Sequence, residues 1–124
     1  MKNKYGFEQT DWDKAKAQAI AILVDVAKQR GRIAYSELTP KIDAIQFDYD
    51  DPRFGYFLGE ISEEEMRANR GMLSAIVVHK SGDMIPGPGF YDLAKRLGKK
   101  VGDIDRFWLS EFNKVHDVWA NRNQ

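Results

Sequence analysis

Residues 77–90, VVHKSGDMIPGPGF, constrain the fold of this chain more than any other stretch. A β-branched pair runs into His79 and Lys80, and Gly82, Pro86, Gly87, Pro88 and Gly89 then crowd the approach to Phe90. Proline lacks a backbone N–H and glycine weakens a strand, so no regular central strand crosses this segment. It reads as a buried strand, a turn at Ser81-Gly82-Asp83, and a return along an edge that the prolines protect from further pairing. Phe90 is then expected to plug the core. On this reading the segment is a wing.

Helical periodicity brackets it on both sides. Ala15, Ala19, Ile22, Leu23, Val26 and Ala27 recur at helical spacing, with Asp11 as the expected N-cap and Gly31 as the expected C-cap. Lys14, Lys16, Lys28 and Arg30 lie mostly off that stripe. RIAY is a short strand candidate. Ser36 is the expected cap of a second helix, ELTPKIDA, with Pro40 in its first turn. QFDYDDPR reads as a loop punctuated by Asp51-Pro52. FGYFLGEISEEEMRANR reads as a third helix, weakened by Gly55 and Gly59. MLSAIVV is expected to be a buried strand. FYDLAKRLG is expected to be a short helix stopped by Gly98. A last helix from about Asp105 carries Trp108, Phe112, Val115 and Trp119 on one stripe. Those aromatics could stack on bases, but at this spacing they read as the face that docks the helix on the core.

The order helix, short strand, helix, helix, strand, wing, helix, helix packs most economically as an α+β, mostly helical fold. We read it as a winged-helix-like helix-turn-helix core with a short β wing and a C-terminal helical extension. At 124 residues one domain is expected. Residues 11–98 would form the core and residues 99–124 the helix docked on it.

Composition narrows the function classes. There is no cysteine, so thiolate catalysis, disulfides and cysteine zinc sites are excluded. Nineteen basic residues balance nineteen acidic ones, which argues against a broadly basic nucleic-acid coat but leaves room for a local patch. The N-terminal stretch has no apolar core of signal-peptide type, and AIAILV is far short of the ~20 residues of a membrane span. A soluble cytoplasmic protein with no membrane partner is expected.

Few residues offer chemistry. His79 has the pKa range of a general base and Lys80 could hold an anion, yet no nucleophile is spaced to serve them. A structural reading of His79 is a strand-end histidine bonded to a backbone carbonyl. His116 lies on a helix that reads as structural. PGPGF has neither the G-x-x-x-x-G-K-[ST] nor the G-x-G-x-x-G spacing of a phosphate loop. DYDD lacks the spacing of a calcium loop, and no H-E-x-x-H is present. No enzyme activity, metal or cofactor is expected.

Charge is segregated along the chain. Asp43 to Glu65 holds eight acidic residues and one basic, Arg53; Met66 to Lys100 holds seven basic residues against Asp83 and Asp92. A basic wing would meet phosphates. An acidic face would meet a basic protein. Two solvated faces with no partner are the plain structural alternative.

The stretch from RIAYSEL to RANRGMLSAIVVHK resembles the C-terminal winged-helix domain of alkylguanine-DNA alkyltransferases and their alkyltransferase-like relatives. Tyr35-Ser36-Glu37-Leu38 is similar to that family's Y-G-E-[LI] turn. Arg67-Ala68-Asn69 and then Val77-Val78-His79-Lys80 fall where the family has a helix ending near an asparagine and a strand carrying P-C-H-R. A glycine-rich turn follows in both. The likeness spans about half the chain. Val78 stands where the acceptor cysteine would be, which excludes alkyl transfer to the protein; alkyltransferase-like proteins also lack that cysteine and bind damaged DNA without repairing it. The resemblance implies that Tyr35 presses on a phosphate and that His79 is a remnant of a hydrogen-bond chain. Glu63, Glu64 and Glu65 would lie on the DNA-facing helix, where carboxylates repel phosphates. The block GMLSAIVVHK…PGPGFYDLA, with FW and a late VW, also resembles a group of small uncharacterised bacterial proteins, which suggests a bacterial source.

Two expectations therefore stand side by side. One is a non-enzymatic winged-helix binder of DNA through Tyr35, Arg67, Arg70, His79 and Lys80. The other is an immunity- or antitoxin-type protein that neutralises a basic nuclease through Asp48, Asp50, Asp51, Glu63 and Glu64. Oligomeric state is not legible in the sequence.

Overall fold

In the computed structural model, which describes residues 1–80 and 86–121, helices dominate. Helix α1 spans Gln9–Lys28, strand β1 Ile33–Ala34, the single turn α2 Tyr35–Leu38, helix α3 Pro52–Arg67, strand β2 Val77–Val78, helix α4 Pro88–Arg96 and helix α5 Ile104–Asn121. Two 3-10 turns, Thr39–Lys41 and Leu73–Ile76, follow α2 and precede β2.

Helix α1 buries Ala15, Ala19, Leu23 and Ala27 on one face, as the periodicity predicts. Its start differs from the expected one. Glu8, not Asp11, is the N-cap, and Asp11 sits in the first turn. An antiparallel bridge between Lys2 and Glu8 folds the N-terminal segment back and lets the helix begin earlier. Its end differs too. Arg30, not Gly31, takes the left-handed conformation, with φ 54°. The N–H groups of Arg30 and Gly31 bond to the carbonyls of Ala27 and Val26, closing a Schellman cap. The same closure ends α3 at Asn69 and α4 at Gly98, the latter where the sequence places it.

Ser36 caps nothing. Ala34 precedes the α2 turn, and Glu37 Oε1 accepts from the Ala34 N–H at 3.0 Å. Helix α3 lies where the sequence places its third helix, but it begins in the expected loop, with Pro52 in its first turn and the Asp51 carboxylate accepting from the Arg53 N–H, and it ends at Arg67 rather than Arg70.

The expected strand MLSAIVV is mostly not a strand. Strands β1 and β2 pair in parallel, Ile33 with Val77 and Ala34 with Val78. Strand conformation extends only as far as β1 offers partners. The preceding N–H groups bond elsewhere: Met72 to the Glu111 carboxylate, Ser74 to Ser62 Oγ, and Ala75 to the Met72 carbonyl. Ser81-Gly82-Asp83, the expected turn, and Met84-Ile85 lie outside the described residues. Pro86 and Gly87 are irregular and Pro88 already opens α4, so residues 86–90 are not the expected strand-like return.

Two contiguous cores result. Trp12, Leu23, Phe54, Phe57, Ile61, Ile76 and Val115 lie in the larger one, between α1, α3 and α5. Met72, Val78, Phe90, Leu93 and Trp108 lie in the smaller one, beneath α4. Phe90 thus fills the core as expected. Trp108, Phe112, Val115 and Trp119 are the docking face of α5, and Trp108 Nε1 donates to the Ala75 carbonyl at 2.8 Å. Among the described residues no helix is long and apolar enough to cross a membrane.

Candidate functional site: a tyrosine-walled cleft

An open cleft of about 920 Å³ runs between α3 and the start of α4. Its walls include Gly55 and Tyr56 of α3, Tyr35 of α2, Tyr49 of the preceding loop, and Gly87 to Phe90. A smaller hollow of about 240 Å³ adjoins it, lined by Tyr35, Ser36, Tyr49, His79 and Lys80. Tyr35, Tyr49 and His79 are common to both.

The fold brings these residues together for local reasons. Parallel pairing of β1 and β2 sets Ala34 beside Val78, so the residues that follow, Tyr35 and His79, emerge side by side. Their rings lie 5.0 Å apart. The Tyr35 hydroxyl accepts from the Gly87 N–H at 3.1 Å, fixing the start of α4 against α2. Gly87 is constrained from the other side. A Cβ there would stand 3.1 Å from His79 Nε2, closer than side chains normally pack. His79 itself is exposed. Among the described residues, the histidine that bonds a backbone carbonyl is His116, whose Nε2 lies 2.7 Å from the Gly31 oxygen.

Burial raises the Tyr35 pKa above its ordinary value, and the bond from Gly87 opposes that rise. The Tyr91 pKa is raised as well, by burial first and then by Asp105 and Tyr35. In both cases the folded protein holds the phenolic proton more tightly than the unfolded chain does. Their stability contribution is full below the ordinary tyrosine pKa of about 10 and is lost as pH rises through the raised values. Tyr35→Phe is therefore expected to flatten the fall in melting temperature as pH rises above about 10. An unchanged alkaline slope in the variant would show that Tyr35 ionisation is not linked to folding.

Each of the two sets of residues picked out in the sequence is divided, with three of its five residues on the cleft or its hollow. Tyr35, His79 and Lys80 converge on the cleft and its hollow. Arg67 does not line either one; it is exposed on α3 and pairs with Glu63 at 3.0 Å. Arg70 is committed inside the fold, its Nε donating to both Glu65 oxygens at 3.0 and 3.1 Å. Asp50, Asp51 and Glu63 line the cleft, whereas Asp48 and Glu64 do not. Asp51 is tied to Arg53, whose hydrogen bonds hold its pKa below the usual carboxylate value. Glu64 pairs with Lys16.

Tyr49 and Tyr56, which sequence reasoning passed over, are 60 % and 53 % exposed. Both stand on the cleft. Their signal in the sequence is faint: two tyrosines in polar or glycine-flanked surroundings, FDYDD and FGYF, where an aromatic has little reason to be buried. Among the described residues no three His, Cys, Asp or Glu side chains gather in a metal-binding arrangement.

Pairing leaves the cleft close to charge balance. Asp51 is offset by Arg53, Glu60 by Lys16 and Glu63 by Arg67. Lys4 and Arg96 remain to face Asp50 and Asp92, and Lys80 stands at the hollow. Aromatic walls beside a hollow that carries one lysine can take a flat ring and an attached anion. The chain matches no protein-family model and no solved structure.

Proposed function

We propose that this protein is a non-enzymatic nucleic-acid binder of winged-helix-like architecture that holds an unpaired base against the tyrosines of the cleft. The observation that carries the reading is the convergence of Tyr35, His79 and Lys80, from distant parts of the sequence, around one hollow beside Tyr49. Exposed aromatic rings give a base a sequence-tolerant stacking surface, and a lysine beside them meets its phosphate. The resemblance to alkyltransferase-like domains supports the same reading, since those proteins bind damaged DNA and lack an acceptor cysteine. Val78, at the matching position, is a buried core residue of β2.

Fluorescence anisotropy of labelled single-stranded and duplex DNA, at low and at physiological salt, tests the proposal. Micromolar binding that weakens with salt is expected, with single strands or mismatched duplexes preferred over perfect duplex. Lys80→Glu is expected to reduce affinity about tenfold, as is loss of a stacking ring in Tyr49→Ala. No binding of either form at low salt would overturn the reading.

A second reading has its own observation. Asp48, Tyr49 and Asp50 form an exposed loop just ahead of α3, and neither carboxylate has an ion-pair partner among the described residues. Two unpaired carboxylates around an exposed tyrosine suit the basic surface of a nuclease toxin, as in an immunity-type protein. The double variant Asp48→Asn/Asp50→Asn separates the readings. It strengthens binding to nucleic acid under the first and weakens binding to a basic protein under the second.

A further inference from the structure

Gly55 and Gly89 both line the cleft, one in α3 and one in the first turn of α4. Glycine is the least favourable helix residue after proline, so its place in a helix calls for a reason. Backbone conformation supplies none, because neither residue is among those with positive φ. Packing supplies none either, since a Cβ at each would meet nothing within 4 Å among the described residues. The neighbouring glycines differ. Gly59 faces Leu93 at 3.6 Å, where α3 and α4 meet, and Gly87 faces His79. Of these four, only Gly55 and Gly89 have nothing but open space beside them among the described residues.

We infer that Gly55 and Gly89 are specificity-determining residues of the cleft, clearing the space in which a flat nucleobase lies against helix backbone. The inference rests on the nucleic-acid reading above. A methyl group at either position would occupy that open space and hold a ring away from the backbone, while exposed Tyr56, next to Gly55, stays available to stack on it. Narrow planar groups would enter, and bulkier ones would be refused.

The test separates stability from binding in the full chain. Gly55→Ala improves helix propensity, so its melting temperature is expected to rise by a few degrees. Affinity for a labelled single-stranded oligonucleotide is expected to fall at least tenfold, and further in Gly55→Leu. Gly89→Ala is expected to show the same loss of affinity. Ser110→Ala, an exposed change on α5, raises helix propensity away from the cleft and is expected to leave affinity unchanged. Wild-type binding that Gly55→Ala and Gly89→Ala both leave intact would overturn this inference and spare the nucleic-acid reading. Absence of wild-type binding would overturn both.

Discussion

Arg70→Ala is expected to lower the unfolding free energy by about 3 kcal/mol, and Arg67→Ala by no more than about 0.5 kcal/mol. The two arginines look alike in sequence, but their partners differ. The Glu65 side chain is 7 % exposed, and the Arg70 fork is its ion-pair partner. Arg70 also lies 5.8 Å from the Trp119 ring, so it ties the end of α3 to α5. Truncating Arg70 strands a buried carboxylate, which is far more costly than losing a solvated pair. Arg67 is 71 % exposed and its bond to Glu63 is an ordinary helical i,i+4 contact. Urea denaturation of the two variants measures the difference. Equal effects would show that Arg70 is not structural. Weak DNA binding by Arg70→Ala would therefore report on the fold, not on a phosphate contact.

Trp12→Ala is expected to cost about 4 kcal/mol. Trp12 is 1 % exposed and sits among Tyr5, Phe57 and Phe7 at ring distances of 5.0, 5.1 and 5.6 Å. Its Nε1 donates to Glu60 at 3.0 Å. The ring also borders Phe47, in the loop that carries Tyr49, while Tyr5 stacks on Tyr56 at 5.4 Å. Both exposed tyrosines of the cleft are thus fastened through one buried indole. Amide hydrogen exchange over residues 45–51 is expected to speed up in a Trp12→Phe variant that still folds. A loss below about 1 kcal/mol in Trp12→Ala would show that the ring cluster is not what anchors this part of the fold.

The helices were legible because each long one buries a single face. The α1 and α5 stripes show at 3.6-residue spacing, and the side chains that set the spacing are buried or packed against the core, although buried Trp12, Glu111 and His116 lie outside them. Helix ends were read less well. Arg30 and Asn69 take left-handed conformations that the sequence assigns to neither, because Schellman bonding and tertiary contacts override the local preference for glycine. MLSAIVV shows the same limit for strands. Its composition is strand-like, but a strand needs a partner ladder, and β1 offers only Ile33 and Ala34.

The cleft was half legible. His79 and Lys80 stand out as the end of a β-branched run, and Tyr35 through a resemblance. Tyr49, Tyr56 and the open-faced Gly55 and Gly89 did not stand out, since exposure and cleft geometry have no local signature. The basic run from Met66 to Lys100 reads as one patch in sequence, yet Arg70 is spent on Glu65 and Lys99 lies 3.7 Å from Glu111.

The sequence by itself determined where the amphipathic helices lie, that no thiol chemistry occurs, and that the Pro-Gly segment cannot be a central strand. These follow from periodicity, composition and covalent geometry, which are properties of neighbours along the chain. Only the tertiary structure decided that β1 and β2 pair in parallel, which charges neutralise one another, and which tyrosines face open space. Those depend on contacts between residues distant in sequence, where pairing and burial are set by the packed whole and not by local preference.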